Sequence, residues 1–165
     1  MKRKRNNQKQ IDFQEMIDRK MIVDFLNTLF TDIEYTMRPI SANTDLTATA
    51  TTNNNIHKLH IEVKNRNVMV NAFNDCFLEV SKYNHLKEDC KNHISIYIAI
   101  YPADRVICVW NLDKINMDKI PIKQIEMNEV TYNDEIRKVL KDVYLLPIEL
   151  STKYNYKYAF HKQTA

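Results

Sequence analysis

The chain has no glycine among its 165 residues, although average usage would supply about ten. Gly-rich loops bind phosphates by letting the backbone approach closely, so motifs of that kind are excluded. The P-loop and the Rossmann dinucleotide fold are therefore ruled out. Tight turns must instead rely on asparagine, which tolerates positive φ better than other residues that carry a Cβ.

Length and cysteine usage indicate one intracellular domain. A chain of this size can bury a single core, and it has no apolar run of about 18 residues that would span a membrane. The start, MKRKRNNQKQ, lacks the apolar segment of a signal peptide. The three cysteines are odd in number and widely spaced, as reduced thiols are. We expect a cytoplasmic protein with no membrane contact, a disordered tail over 1–9 and one domain over 10–165.

Positive charge is concentrated at the start of the chain. The formal net charge is +3, and four cations stand side by side at Lys2, Arg3, Lys4 and Arg5. A short cationic arm on a near-neutral body suits contact with a phosphate backbone. Such arms are also often only solvated ends, so this feature does not decide the function.

The hydrophobic pattern predicts an α/β fold, a mixed sheet flanked by helices in the order α-β-β-β-α-β-β-α. Apolar residues three and four apart predict the helices, and β-branched or alternating segments predict the strands. An Asn run at 53–55 should close a hairpin, and Asn133 should cap the last helix. The predicted helices are 11–30, 70–90 and 133–143, and the predicted strands are 32–36, 44–52, 56–64, 93–101 and 105–112.

The strand at 56–64 alternates in polarity. Side chains on a strand repeat with period two, so one face carries His60, Glu62 and Lys64 while Ile61 and Val63 pack into the core. A glutamate and a lysine two apart are usually a solvated surface. The residue opposite Glu62 is therefore the deciding feature.

Asp45 opens the preceding strand. A two- or four-residue loop, or a bulge, places Asp45 opposite Glu62, whereas a three-residue loop places it opposite Val63. Two opposed carboxylates are unfavourable unless a cation bridges them. Ligands made only of oxygen suit Mg²⁺ or Mn²⁺ rather than Zn²⁺.

These residues resemble the PD-(D/E)xK nuclease superfamily, with its restriction-endonuclease-like fold. Asp45 precedes the triplet Glu62-Val63-Lys64 by 17 residues, between two predicted helices. More narrowly, the chain is similar to small phage and Bacteroidetes-type members. In those proteins DIEYT, IEVKNR, a helical Glu-x-x-Lys-Tyr, a YI-type strand and a VWNL strand follow in this order; the helical segment is here Glu79, Lys82 and Tyr83. Thr44 stands where the family pattern has proline.

The resemblance implies a Mg²⁺- or Mn²⁺-dependent deoxyribonuclease, expected to be an endonuclease, with no organic cofactor. Asp45, Glu62 and the carbonyl of Val63 would bind the ion. Glu15 on the first helix would add a further ligand, although Asp12 or Asp18 could equally take that part.

Other positions are implied as contacts to the reacting phosphate and to DNA. Lys64 would orient the attacking water and stabilise the charge that builds on the phosphate. Lys82 would either point back to the site from the second helix or pair with Glu79 on a solvated face. Asn65 and Arg66 would contact phosphates, as would the basic tail.

Two further expectations concern partners. DNA is the expected partner, and a homodimer is expected if both strands of a duplex are cut. The alternative is a catalytically silent module on the same fold that binds nucleic acid or protein, such as a phage accessory protein in a bacterial host. As a protein-interaction module, it should show no dependence on metal.

Overall fold

The structure is a computed structural model that describes residues 2–30, 32–39, 44–52, 55–88, 93–128 and 137–156, with the backbone alone for 2–12 and 52. Within these ranges the two α-helices are α1 (Lys2–Leu29) and α2 (Val80–Glu88). The strands are β1 (Asp32–Met37), β2 (Leu46–Thr52), β3 (Asn55–Asn65), β4 (Asp75–Glu79), β5 (Ile94–Tyr101), β6 (Val106–Asn111), β7 (Ile122–Asn128), β8 (Lys138–Pro147) and β9 (Thr152–Asn155).

The strands form two sheets. The larger has six strands in the order β1-β2-β3-β5-β6-β9, and the smaller has three in the order β4-β8-β7. Strands β3 and β5 are parallel, while the other pairs are antiparallel. The chain is thus a mixed α/β protein, mostly sheet, which confirms the predicted class.

Two apolar clusters lie on opposite faces of the six-stranded sheet. On one face α1 packs against the sheet, with Ile22, Leu46 and Ile61 fully buried. On the other face α2 and the smaller sheet cover Tyr97 and Trp110. Because β5 is buried on both faces, its apolar character is almost continuous, as expected of a covered parallel strand.

The hairpin formed by β2 and β3 has the two-residue connection that was one of the predicted alternatives. Its register runs from Thr52 opposite Asn55 to Leu46 opposite Ile61. Asp45 directly precedes β2, and its N–H donates to the Ile61 carbonyl at 3.2 Å. The register extended by one residue would pair Asp45 with Glu62, so this hydrogen bond departs from that pairing by one residue.

The predicted helix over 70–90 was too long. Residues Asp75–Glu79 form β4, which pairs with β8, and the helix begins only at Val80. Cys76 and Leu78 are buried in alternation along that strand. The helix was predicted from the spacing of Phe73, Phe77 and Val80, whereas Phe73 is exposed and the buried positions are Cys76 and Leu78. Pairing with a distant strand set the period of this segment.

The predicted helix over 133–143 was wrong for its described part. Residues from Lys138 onward belong to β8, paired on both sides by β4 and β7; Asn133 lies outside the described residues.

The first helix begins at Lys2 rather than near residue 11, so it includes part of the segment expected to be disordered. Strands β7 and β9 were not predicted.

The described cysteines and helices bear on the predicted reduced thiols and on the expected lack of a membrane span. Cys76 and Cys108 are buried free thiols, and Cys90 lies outside the described residues. Among the described residues, neither helix has the length and apolar character needed to cross a membrane.

Candidate functional site

Asp45 stands at the start of β2 with a partner on each carboxylate oxygen. Its Oδ2 accepts the backbone N–H of Val63 at 2.8 Å. Its Oδ1 accepts from the Arg19 guanidinium at 2.5 Å, across the interface between α1 and the sheet. The pairing register and these contacts together fix Asp45 beside the Glu62-Val63-Lys64 triplet.

Glu62 lies in the middle of the same group and is 7% exposed. Its Oε1 forms an ion pair with Lys82 Nζ at 3.1 Å. Its Oε2 is buried, with no hydrogen-bond partner among the described residues. Burial raises the pKa of Glu62 to about 8, the charge of Asp45 adds to that rise, and Lys82 and Lys64 oppose it. Lys82 thus reaches Glu62 from α2, and its catalytic role stays a prediction.

The face of β3 that carries Glu62 is not a solvated surface. The predicted alternation along this strand holds, since Ile61 and Val63 are buried on the opposite face. However, α2 covers the polar face, so His60 and Glu62 are buried as well and only Lys64 is exposed. His60 stacks against His93 with ring centroids 4.2 Å apart.

The helical acid that the structure joins to this group is Asp18. It is 6% exposed, accepts from Gln14 at 2.8 Å and accepts from the side-chain amide of Asn65 at 3.0 Å. Burial raises the pKa of Asp18, and the nearby charge of Asp45 adds to the rise. Glu15, one turn earlier, is half-buried and its role as a ligand stays a prediction.

Arg66 lies inside the protein at the end of β3. Its Nη2 donates to the carbonyl of Phe77 at 2.6 Å and to the hydroxyl of Tyr97 at 2.7 Å. The guanidinium also lies over the Phe77 ring, 3.9 Å from the ring centroid. Arg66 therefore joins β3 to β4 and β5, and Asn65 joins β3 to α1. Their phosphate contacts stay predictions, and the side chains of Lys2, Arg3, Lys4 and Arg5 lie outside the description.

Sequence reasoning missed Arg19. The residue is 5% exposed and follows Asp18 directly, within the apolar stretch of α1. Its helical neighbours Ile22 and Leu26, three and seven positions later, are buried against the sheet. A charged residue on the apolar stripe of a helix is the signal that could have identified it, since such residues are rarely buried without a partner.

The donor chemistry fits the ion that the resemblance implies. In the described part of the chain, no three side chains of Asp, Glu, His or Cys form a metal-binding group. The implied ligand set has two carboxylates and the Val63 carbonyl, and Mg²⁺ usually keeps several waters beside a few protein oxygens. An unpartnered carboxylate oxygen next to a second carboxylate is the arrangement that a hard cation would satisfy.

Comparison with known proteins adds no family assignment. A scan of protein-family models and a search of curated proteins each return no match for this sequence. The chemistry of the site is therefore argued from its own residues. Asp45, Glu62 and Asp18 lie in one region with the cations Arg19, Lys64 and Lys82.

Proposed function

We propose that this protein is a metal-dependent DNA phosphodiester hydrolase centred on Asp45 and Glu62. The observation that carries the proposal is the buried Oε2 of Glu62, which lacks a hydrogen bond among the described residues although a second acid lies nearby. A buried carboxylate oxygen that lacks a hydrogen bond is costly, even where the other oxygen is paired. A divalent ion that uses this oxygen as a ligand explains why the position carries an acid.

The order of elements supports a restriction-endonuclease-like fold as part of the proposal. After α1, three strands form an antiparallel meander, and α2 then leads to β5, which lies parallel to β3. Glu62 lies on β3, and Asp45 directly precedes the adjacent strand β2. The smaller sheet of β4, β7 and β8 is an addition to the expected order.

In this proposal Asp45, Glu62 and the Val63 carbonyl hold Mg²⁺ or Mn²⁺. Such an ion, when bound, lowers the pKa of a water and offsets the charge that develops on a phosphate. Lys64 is exposed, yet its charge acts on Glu62, so its ammonium can meet a phosphate at the edge of the site. Lys82 holds Glu62 through Oε1 and leaves Oε2 for the ion.

DNA is the proposed substrate, and an internal phosphodiester bond is the proposed point of cleavage. Lys64 at the site and the cations at the start of the chain suit a polyanion. One site cuts one strand, so a homodimer is proposed for the cutting of duplex DNA. The protein is also proposed to act in the cytoplasm.

A cleavage panel tests the proposed activity. Supercoiled plasmid, linear duplex, single strands and a four-way junction are each incubated with Mg²⁺, Mn²⁺ or EDTA. We expect cleavage with either metal and none with EDTA, and we expect Glu62→Gln to abolish it. Lys138→Gln is the matched control, because it removes a cation from an exposed ion pair on the smaller sheet. Cleavage that survives in Glu62→Gln would rule out the proposed centre.

A second candidate is a catalytically silent nucleic-acid-binding module. One observation favours it: each acid already has a cation of the chain, Arg19 for Asp45 and Lys82 for Glu62. This candidate predicts DNA binding that weakens with salt, is unaffected by EDTA and leads to no cleavage with any metal.

A further inference from the structure

The contact between Arg19 and Asp45 is more enclosed than the other ion pair of the site. The side chain of Arg19 is 6% exposed, against 32% for that of Lys82. Besides Asp45, the Arg19 guanidinium donates through Nη1 to the carbonyl of Arg38 at 2.5 Å. A guanidinium removed from water must have its N–H groups bonded, so these two contacts hold it in one position.

These contacts also fix the backbone that carries Asp45. The N–H of Arg38, just after β1, donates to the carbonyl of Asp45 at 3.0 Å. Arg19 therefore bonds to both residues of this backbone pair, once through a carbonyl and once through a carboxylate. With Val63 bonded to the other oxygen, the orientation of the Asp45 carboxylate is determined by α1 and β3 together.

The same guanidinium opposes any second cation at Asp45. An ion bound to this carboxylate would stand within a few ångströms of the charge on Arg19, and like charges at that range repel each other strongly in a partly buried site. The ion must then share Asp45 with Arg19 or displace it.

We propose that Arg19 is a positioning residue that takes the place of the divalent ion at Asp45, and that its charge weakens binding of that ion. The inference rests on the metal site of the proposed function. Arg19 keeps Asp45 in position when the ion is absent, and it thereby sets the concentration of free ion at which the site fills. Arg19 is not itself a metal ligand, yet as a residue of α1 it would control how tightly the site binds the ion.

Calorimetric titration of the full chain with Mn²⁺, after removal of metals with EDTA and dialysis, tests this role. Arg19→Gln removes the charge but can still donate a hydrogen bond to Asp45. We expect it to bind Mn²⁺ about tenfold more tightly than the wild type, or tighter still, because the repulsion is gone. Arg19→Lys keeps the charge, so its affinity should stay within about threefold of the wild type. Lys138→Gln should leave the affinity unchanged.

The outcomes separate the inference from the proposed function. If the wild type binds Mn²⁺ and Arg19→Gln binds it equally or more weakly, the role of Arg19 is wrong and the metal site stands. If Mn²⁺ binds but no DNA is cut, the proposed activity is wrong. The Mn²⁺ affinities of the wild type and Arg19→Gln then decide whether the role of Arg19 is right. If no variant binds Mn²⁺ at millimolar concentration, both are wrong.

A measurement on the wild type keeps the inference testable if Arg19→Gln does not fold. Nuclear magnetic resonance of ¹⁵N-labelled arginine follows the guanidinium signal of Arg19, which is assigned by its loss in Arg19→Lys. Adding Mg²⁺ should shift this signal, because the ion takes part of the Asp45 carboxylate from Arg19. An unchanged signal at saturating Mg²⁺ would overturn the inference.

Discussion

Burial of Glu62 should make the protein less stable as pH rises. This is the reverse of the effect of an acid whose pKa is lowered by folding. The pKa of Glu62 rises from 4.5 to about 8 in the fold, chiefly because burial disfavours the charged form. The folded protein therefore keeps a proton that the unfolded chain has lost between these two values. Stability should fall as pH rises from about 4.5 to about 8, and it should then level off.

The size of this effect follows from the same pKa. Each tenfold change in the protonation equilibrium corresponds to about 1.4 kcal/mol, so the full change amounts to about 5 kcal/mol. Glu62→Gln has nearly the same shape and no proton to lose. The variant should match the wild type near pH 4.5 and exceed it by up to about 5 kcal/mol at pH 8.5, in the absence of divalent ions.

Urea unfolding in EDTA at several pH values measures this difference. The chain has one tryptophan, Trp110, which is fully buried and reports on the core by its fluorescence. The difference between wild type and variant cancels the contribution of other acids, such as Asp18, whose pKa is also raised. If the two proteins lose stability in parallel from pH 5 to pH 8.5, Glu62 does not have a raised pKa and the argument from burial fails.

The other predictions concern the remaining parts of the site and its support. Mn²⁺ should raise the midpoint of thermal unfolding, and more at pH 8 than at pH 6, because the ion binds the ionised acids; equal shifts at both values would contradict this. Lys64→Ala should keep the midpoint, since the residue is exposed, and should lose plasmid cleavage; unchanged cleavage would remove Lys64 from the site. Tyr97→Phe should lower the free energy of unfolding by about 1–3 kcal/mol, because the buried Arg66 loses an acceptor at 2.7 Å; a neutral change would show that the contact is dispensable. Leu86→Ala should lower it by about 2–5 kcal/mol, since Leu86 is the fully buried leucine of α2, whereas Leu140→Ala, at a position 67% exposed, is its control and should have little effect.

The part of the fold set by local sequence was predictable. The hairpin of β2 and β3 and the alternation of Leu59, Ile61 and Val63 were predicted, and the two-residue connection selects one of the two registers that the sequence left open. By contrast, β4 and β8 are strands because they pair with each other across more than sixty residues. Phe73, Phe77 and Val80 have helical spacing while Cys76 and Leu78 have the spacing of a strand, so the local sequence carries both signals and the pairing with β8 selects the strand.

The site was predictable to the same extent. The two-residue connection was one of the predicted alternatives that bring Asp45 towards Glu62, and Lys82 was implied by the resemblance alone; the structure pairs Lys82 with Glu62. The choice between Glu15 and Asp18 could not be made, because residues three apart share one face of a helix. Arg19 was missed for a related reason: its partner lies in another element, and only the packing of α1 brings the two together.

The two ion pairs tie assembly of the site to docking of the helices. Asp45 takes its cation from α1 and Glu62 takes its cation from α2, while the acids themselves lie on adjacent strands. Loss of one partner of a buried pair costs about 3–5 kcal/mol, so neither acid is accommodated at low cost until its helix has packed. The pairs differ in exposure, however, because Lys82 reaches water and Arg19 does not. Asp45 is therefore held by an ion pair that is closed to water, whereas Glu62 is held by an ion pair that water can reach.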